Sequence, residues 1–280
     1  FFWKEHRADP LTAQELTTYQ VIDSIGQKYK FDEILTFAEK LSGNRIPIGF
    51  IDLDISKSLI FNMYEGLRLG LGAYTNDKLI KNLSVGGYFG FGLKDDEWKY
   101  GGEVLWTVDK DRELQIRGKY ENTLLESGKT RLGFFNERQY DWRSYLATQM
   151  DNIEQSSIAI GMRALKYAKV NVSFNHTRVN PLYDYIYSVD ETAQVIDFTN
   201  TDFTINVRYA HKEKLISSMG RRLSMGTKYP VFSLSYSRGL DGVLDGQFAF
   251  NKLEARLEEA IYFKNLGESK IRIDAGLIDQ

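Results

Sequence analysis

Leu67-Arg68-Leu69-Gly70-Leu71-Gly72-Ala73-Tyr74 is the stretch whose reading decides the fold class. Leu67, Leu69, Leu71 and Ala73 fall on one face, and Arg68, Gly70, Gly72 and Tyr74 on the other. Side chains of a strand point alternately to two faces, so a strict period of two predicts a β-strand with unlike faces. The next run sets Leu83, Val85, Phe89, Phe91 and Leu93 against Ser84, Gly86, Tyr88, Gly90 and Gly92. Then Trp98, Tyr100, Val104, Trp106 and Val108 oppose Lys99, Gly101, Glu103 and Thr107. After a turn at Asp109-Lys110-Asp111-Arg112, Leu114, Ile116 and Tyr120 oppose Glu113, Gln115, Arg117, Lys119 and Glu121. The pattern returns at 158–164, 170–174, 203–209, 232–236, 253–263 and 271–277. It predicts about ten strands, most of them joined as antiparallel hairpins.

Alternation fits a soluble sandwich, whose polar face meets water, and equally a membrane barrel, whose apolar face meets lipid and whose polar face lines a lumen. Three features favour the barrel. Aromatic residues sit near strand ends on the apolar face (Trp98, Tyr100, Trp106, Tyr120, Tyr209, Tyr236, Phe263), as interfacial girdles require. The other face mixes glycine with charge: Arg68, Glu103, Arg117, Lys119, Arg208, Glu254, Arg256, Arg272 and Asp274 are the candidate lumen-facing groups. Connections alternate in length, tight at 109–112 and 165–169 and long at 122–155 and 175–202, as short periplasmic turns and long outer loops do.

Composition narrows the function classes. The 280 residues carry 36 basic and 38 acidic side chains, a net charge of −2, which gives no bulk attraction to nucleic acid. The absence of cysteine removes disulfides, thiolate metal sites and a cysteine nucleophile, and three histidines leave little for zinc. Aromatics make up 14% and prolines number only four, a strand-rich usage. A mean hydropathy of −0.38 goes with the lack of any apolar run of about 18 residues, so no transmembrane helix is expected. A barrel is not excluded by this, because alternation averages to a polar score.

The opening is different. Thr12-Ala13-Gln14-Glu15 is a capping box, with Leu11 and Leu16 placed as a hydrophobic staple. Leu16, Tyr19, Ile22 and Ile25 recur at helical spacing up to Gly26, and a second helix is expected from Asp32 to Gly43. The chain divides into residues 1–45, a helical periplasmic segment leading in, and residues 46–280, the strands and loops of an outer-membrane barrel. The missing initiator Met and the strand-like end at Gln280 suggest the interior of a longer precursor.

Ile46-Pro47-Ile48-Gly49-Phe50-Ile51-Asp52-Leu53-Asp54, Tyr64-Glu65-Gly66-Leu67-Arg68-Leu69-Gly70-Leu71, Tyr74-Thr75-Asn76-Asp77, Gly87-Tyr88-Phe89-Gly90-Phe91-Gly92-Leu93-Lys94-Asp95, Trp98-Lys99-Tyr100-Gly101-Gly102 and Gly226-Thr227-Lys228-Tyr229-Pro230-Val231 recur in order. From about Phe31 onward they resemble an uncharacterised Gram-negative outer-membrane barrel family that carries an N-terminal carboxypeptidase-regulatory-like domain. The resemblance implies an outer-membrane location and a barrel related to surface-antigen and assembly-factor barrels. It brings no catalytic residues with it.

The remaining motifs read as structure. The glycines of 87–92 lie inside a strand with no helix after them, unlike a phosphate loop. Asp52 and Asp54 share a strand face with no third ligand nearby and are expected on a solvated face. His176 and His211 end strands beside Arg178 and Lys212, and Glu213 is the only nearby carboxylate that could orient a base. Asp241 to Gly246 lacks the spacing of a calcium loop and reads as a glycine turn. Arg221-Arg222 is expected at a loop end near lipid headgroups.

The sequence therefore points to an all-β antiparallel transmembrane barrel, only part of whose strands lie in this chain, with a short helical segment in front. The expected role is non-enzymatic: a scaffold or partner in envelope biogenesis or secretion complexes of the bacterial outer membrane. Expected partners are outer-membrane lipid and other outer-membrane or periplasmic proteins, with no nucleic acid and no cofactor. The alternative is a channel or transporter whose charged lumen sets selectivity. A barrel hydrolase lacks a convincing Ser–His pair, and a soluble carbohydrate-binding sandwich is the remaining option.

Overall fold

The computed structural model describes residues 12–28, 30, 45–128, 132, 146–184, 187–190, 193–195, 197–218, 221–264 and 267–279. One helix, α1 (Ala13–Lys28), is followed by strands β1 (Arg45–Ile48), β2 (Ile51–Asp54), β3 (Leu59–Asn62), β4 (Gly66–Thr75), β5 (Leu83–Gly92), β6 (Trp98–Asp109), β7 (Leu114–Glu126), β8 (Met150–Leu165) and β9 (Ala168–Pro181). Then come β10 (Tyr187–Asp190), β11 (Ala193–Val195), β12 (Phe198–Ala210), β13 (Leu215–Ser218), β14 (Arg221–Ser224), β15 (Val231–Gly239), β16 (Asn251–Phe263) and β17 (Gly267–Asp279). The fold is all-β with a short helical opening. A 13-stranded antiparallel sheet runs in the order β1-β2-β4-β5-β6-β7-β8-β9-β12-β15-β16-β17, with β3 also on β4; β10-β11 and β13-β14 are separate hairpins. The sheet is of barrel type and, among the described residues, is not closed.

The capping box forms as expected. The Thr12 N–H and hydroxyl both donate to Glu15 Oε2 at 2.8 Å, and the Glu15 N–H donates to Thr12 Oγ1 at 3.3 Å. The helix runs through Gly26 to Lys28 rather than stopping at the glycine. The expected helix at 32–43 and the staple residue Leu11 lie outside the described residues.

Nearest-neighbour pairing carries the sequence pattern across the whole sheet. Ile116 pairs with Ile160, Ile160 with Val172, and Val172 with Ile205. Ile205 continues to Tyr236, Leu253 and Leu277. The same holds two rows on, where Tyr209, Phe232, Leu257 and Ile273 stand side by side. These apolar side chains are on the outside: Phe89 is 52% exposed, Ile158 64%, Phe232 53% and Leu69 47%. On β6 the outward series runs from Trp98 to Val108, which at ~3.3 Å per residue is about 33 Å of strand. Twelve strands at ~4.8 Å spacing make a belt on the order of 1,000 Å², well above the ~300–600 Å² of the largest apolar patch on a typical soluble monomer.

The opposite face carries Arg68, Lys99, Glu121, Arg163, Asn206, Glu254 and Arg256, all buried. Its curvature can be read from hydrogen bonds that skip strands. Arg68 on β4 donates to Thr123 Oγ1 on β7 at 3.4 Å, although three strand spacings of ~4.8 Å separate them. The Tyr88 hydroxyl on β5 donates to Glu121 on β7 at 3.3 Å. A flat sheet would keep these groups apart, so the polar face is concave. Polar residues fill the inside and apolar ones coat the outside, the reverse of a soluble sandwich.

A stripe of inward glycine makes room for an insertion. β2 and β3 lie along the same edge of β4, interrupted by a 3-10 turn at Ile55–Lys57. A Cβ on Gly70 would sit 2.5 Å from the Lys57 carbonyl oxygen, and one on Gly90 3.0 Å from Arg68 Cδ. The glycines let the turn fold inward and carry the Lys57 ammonium over the Tyr88 ring, 4.3 Å from its centroid. Asp54 caps this turn by accepting from the Ser56 N–H at 3.0 Å. Asp52 accepts from Asn76 Nδ2 at 2.8 Å. The expectation of a solvated face for Asp52 and Asp54 is thus corrected: both are buried on the concave face.

Strand direction sorts the connections onto two rims. The links 76–82, 110–113, 166–167 and 264–266 share one rim, and 93–97, 127–149, 182–197 and 240–250 share the other. The expected alternation in length is broken: the link 211–230 is long yet lies on the tight-turn rim, where it holds β13 and β14, and the link 93–97 is short yet lies on the other. β1 starts in mid-sheet and runs toward the tight-turn rim, because Arg45 pairs with Asp54 and Asp54 with Gly72.

The glycine argument predicts opposite outcomes at two strand glycines. Gly70→Ala should destabilise by about 1–3 kcal/mol through overpacking against backbone. Gly118→Ala, where nothing lies within 4 Å of the added carbon, should change stability little. Denaturant titration of the protein folded into lipid vesicles measures both, and equal effects would refute the insertion.

Candidate functional site

The concave face is the candidate site, and its charges come from alternate positions of successive strands. The register places Arg68, Glu103, Arg117, Lys119, Arg208, Glu254, Arg256, Arg272 and Asp274 on this one face. It brings most of them together in pairs rather than in one centre. Arg117 Nε lies 3.3 Å from Glu103, and Lys119 Nζ 2.6 Å from Glu121 on its own strand. Lys252 meets Glu254 at 2.9 Å. Arg256 and Arg272 share the two oxygens of Asp274, at 2.6 and 3.0 Å. Among the described residues no group of three His, Cys, Asp or Glu is placed to hold a metal ion.

The most deeply buried pairs use acids that the alternation pattern does not mark. Arg68 is gripped by Glu65 in the turn before β4, with Nε donating to Oε2 at 2.8 Å and Nη2 to Oε1 at 2.6 Å. Glu65 is fully buried. Lys99, 2% exposed, is held by Asp95 at 3.1 Å from the turn before β6. A buried unpaired charge costs several kcal/mol, so these turn acids are what permit the inward cations. The sequence signal for them is an Asp or Glu within four residues of an inward basic residue, across a turn.

A third cluster closes the tight-turn rim. Arg163 at the end of β8 binds Glu113 of the β6–β7 turn at 2.7 Å and Glu213 of the β12–β15 link at 3.4 Å. Lys169 holds Glu113 at 2.8 Å, Arg208 holds Glu213 at 3.0 Å, and Ser224 Oγ donates to Glu213 at 2.7 Å. Burial alone would raise the Glu213 carboxyl, but the Ser224 hydroxyl and the Arg208 and Arg163 guanidinium groups outweigh it and hold its pKa below the usual carboxylate value. Glu113 is likewise pushed up by burial and brought below its usual value by Arg163 and Lys169.

The other singled-out residues serve structure. His176 bonds Thr201 Oγ1 at 3.1 Å on the outer face. His211 packs with Tyr209, Tyr229 and Tyr167 in an aromatic cluster at the tight-turn rim, not against Glu213. Asp241 to Gly246 is a turn, closed by the Gly242 N–H to the Gly246 carbonyl at 2.8 Å. Arg221 and Arg222 begin β14.

The rim cluster gives a pH prediction. Carboxyls whose pKa is depressed by folding stabilise the fold above the unfolded value of about 4.3, and that gain is lost as pH falls through the folded pKa. Glu213→Gln should cost on the order of 3 kcal/mol at neutral pH, since it breaks a buried pair. Below about pH 4 the wild-type advantage over the variant should shrink. Urea midpoints from pH 7 to pH 3 measure this, and a constant gap would refute the latch.

Residues 163–277, from the end of β8 through most of β17, match the sequence model of the C-terminal domain of a family of unknown function (DUF5686). The match does not extend to a carboxypeptidase-regulatory-like domain. No curated protein matches the sequence. The crystal structure of BamA from Haemophilus ducreyi lacking POTRA domains 1–3 is similar in fold over 81% of this chain, at 10% identity and a TM-score of 0.48. The chain spans 40% of the length of that BamA chain.

Proposed function

We propose that residues 46–280 form part of the wall of a bacterial outer-membrane barrel that acts, without chemistry of its own, as a scaffold or partner in envelope biogenesis or secretion complexes. The observation that carries the membrane reading is the apolar belt kept in register from β4 to β17. Water gives no reason to expose such a belt, and in lipid a sheet satisfies its backbone only as a barrel. Aromatic side chains flank it at both rims: Trp98, Tyr100 and Tyr120 at one, Trp106, Tyr209 and Tyr229 at the other. The long-connection rim is read as the outer one. Residues 1–45 are read as the helical periplasmic segment that leads in.

The scaffold reading draws its support from the filled concave face. Ion pairs and strand-skipping hydrogen bonds cross it at β4–β7, at β8–β12 and at β16–β17. A channel is the second reading, favoured by the neutral lane between those clusters. There Asn171, Asn206 and Ser235 are buried, and the Oδ1 atoms of both asparagines lack protein partners. Such a lane suits water.

One measurement tests the membrane placement both readings share, and a second separates them. Leu69→Arg or Phe89→Arg should cost about 2–4 kcal/mol in vesicle-folded protein, as for a charge at the bilayer midplane. Planar-bilayer recording should show little steady conductance, and Arg256→Ser with Arg272→Ser should raise it. Porin-like conductance of the unmodified protein would make the channel the better reading.

A further inference from the structure

The outer face changes character beyond one end of the belt, and on β7, β8, β9 and the start of β12 the polar outward side chains border a depression. The last rows of the belt pair Gly118, Ile158, Phe174 and Phe203, then Tyr120, Ser156, His176 and Thr201. The next outward row is Asn122, Glu154, Arg178 and Thr199, followed by Asn152 beside Asn180. Asn122, Asn152, Glu154, Arg178, Asn180 and Asp197 line a depression of about 400 Å³. The Tyr120 hydroxyl donates to Glu154 Oε1 at 2.7 Å from the belt side, and Arg178 lies 3.8 Å from the other Glu154 oxygen. Asn152 Oδ1 is buried with no partner.

From this we infer that the depression is a binding site for the sugar headgroup of a glycolipid in the surrounding membrane, an inference that rests on the membrane reading above. Each row lies ~7 Å further along the strands, so with a tilt of ~45° the two polar rows stand about 5 and 10 Å beyond the hydrocarbon edge, in or just past the headgroup layer. The set of groups suits hydroxyls better than phosphate. Three side-chain amides, each with donors and an acceptor, and two carboxylates face one guanidinium, which Glu154 already half neutralises. A phosphate site would gather cations and backbone N–H groups instead. Tyr120 and, one row further into the belt, Ile158, Phe174 and Phe203 would take the acyl chains of the same molecule.

The test uses the full chain in phosphatidylethanolamine–phosphatidylglycerol nanodiscs, with bound glycolipid counted by native mass spectrometry. A rough-type lipopolysaccharide should be retained, while its lipid portion stripped of sugars and the free core oligosaccharide should each bind at least tenfold more weakly. Asn152→Leu with Asn180→Leu should reduce retention at least tenfold, and Leu257→Ala, on the belt away from the depression, should leave it unchanged. If the double variant loses heat-modifiability, Glu154→Gln and Arg178→Ala take its place, both being at partly exposed positions. Equal retention of stripped and sugar-bearing lipid, or undiminished retention by the variants, overturns the site while leaving the membrane reading intact. A wild-type chain that never enters nanodiscs overturns that reading first.

Discussion

Register is the constraint on which everything else in this structure depends. A strand shows its side chains to two faces with a period of two, so a slip of one residue would exchange every inward and outward group. Here a one-residue slip of β9 on β8 would bring Val172 and Phe174 inside and set Asn171 and Asn175 against the surroundings. The pairings prevent this from both sides. Outward, apolar rows gain only if they stay continuous; inward, each buried cation needs its acid at hydrogen-bond distance.

Curvature turns the register into a three-dimensional interior. Contacts such as Arg68 to Thr123 exist only because the sheet bends across three strand spacings. The bend in turn needs the inward glycines, which leave space for the Arg68 stem and for the 3-10 turn carrying Lys57. Packing and electrostatics are therefore not separable on this face. Adding a methyl group at Gly70 and removing the carboxylate at Glu213 disturb the same filled interior, one in mid-strand and the other at the rim.

Much of this could be read in the residues alone, and the parts that could not have a common cause. The strands were legible where apolar and polar residues alternate, which is only the height of the belt. β8 extends from Met150 rather than Ile158 because its first turns carry Asp151, Asn152 and Glu154, whose pattern gives no apolar face. The inward charges were legible as a set, but not their partners. Glu65, Asp95 and Glu213 lie in turns, where period-two reasoning does not reach, and Glu113, though on the polar face, carries no sign of Arg163 as its partner. Asp52 and Asp54 look like a solvated pair in sequence, and only the fold shows that Asn76 and Ser56 satisfy them inside. The rim to which a connection belongs follows from counting strands, and the interrupted β2–β3 edge is invisible without the glycine clearances.

The central claim is that the two faces are inverted relative to a water-soluble sheet, with lipid against the apolar one. The chain has no cysteine, so single nitroxide labels can be introduced without background. Labels at Leu234→Cys and Ser235→Cys, adjacent on β15, sample the two faces at one depth. In bilayers, collision with oxygen should dominate at 234, while collision with a water-soluble nickel chelate should be absent there. At 235 oxygen collision should be low. The same profile at both positions, or nickel access at 234, would contradict the account.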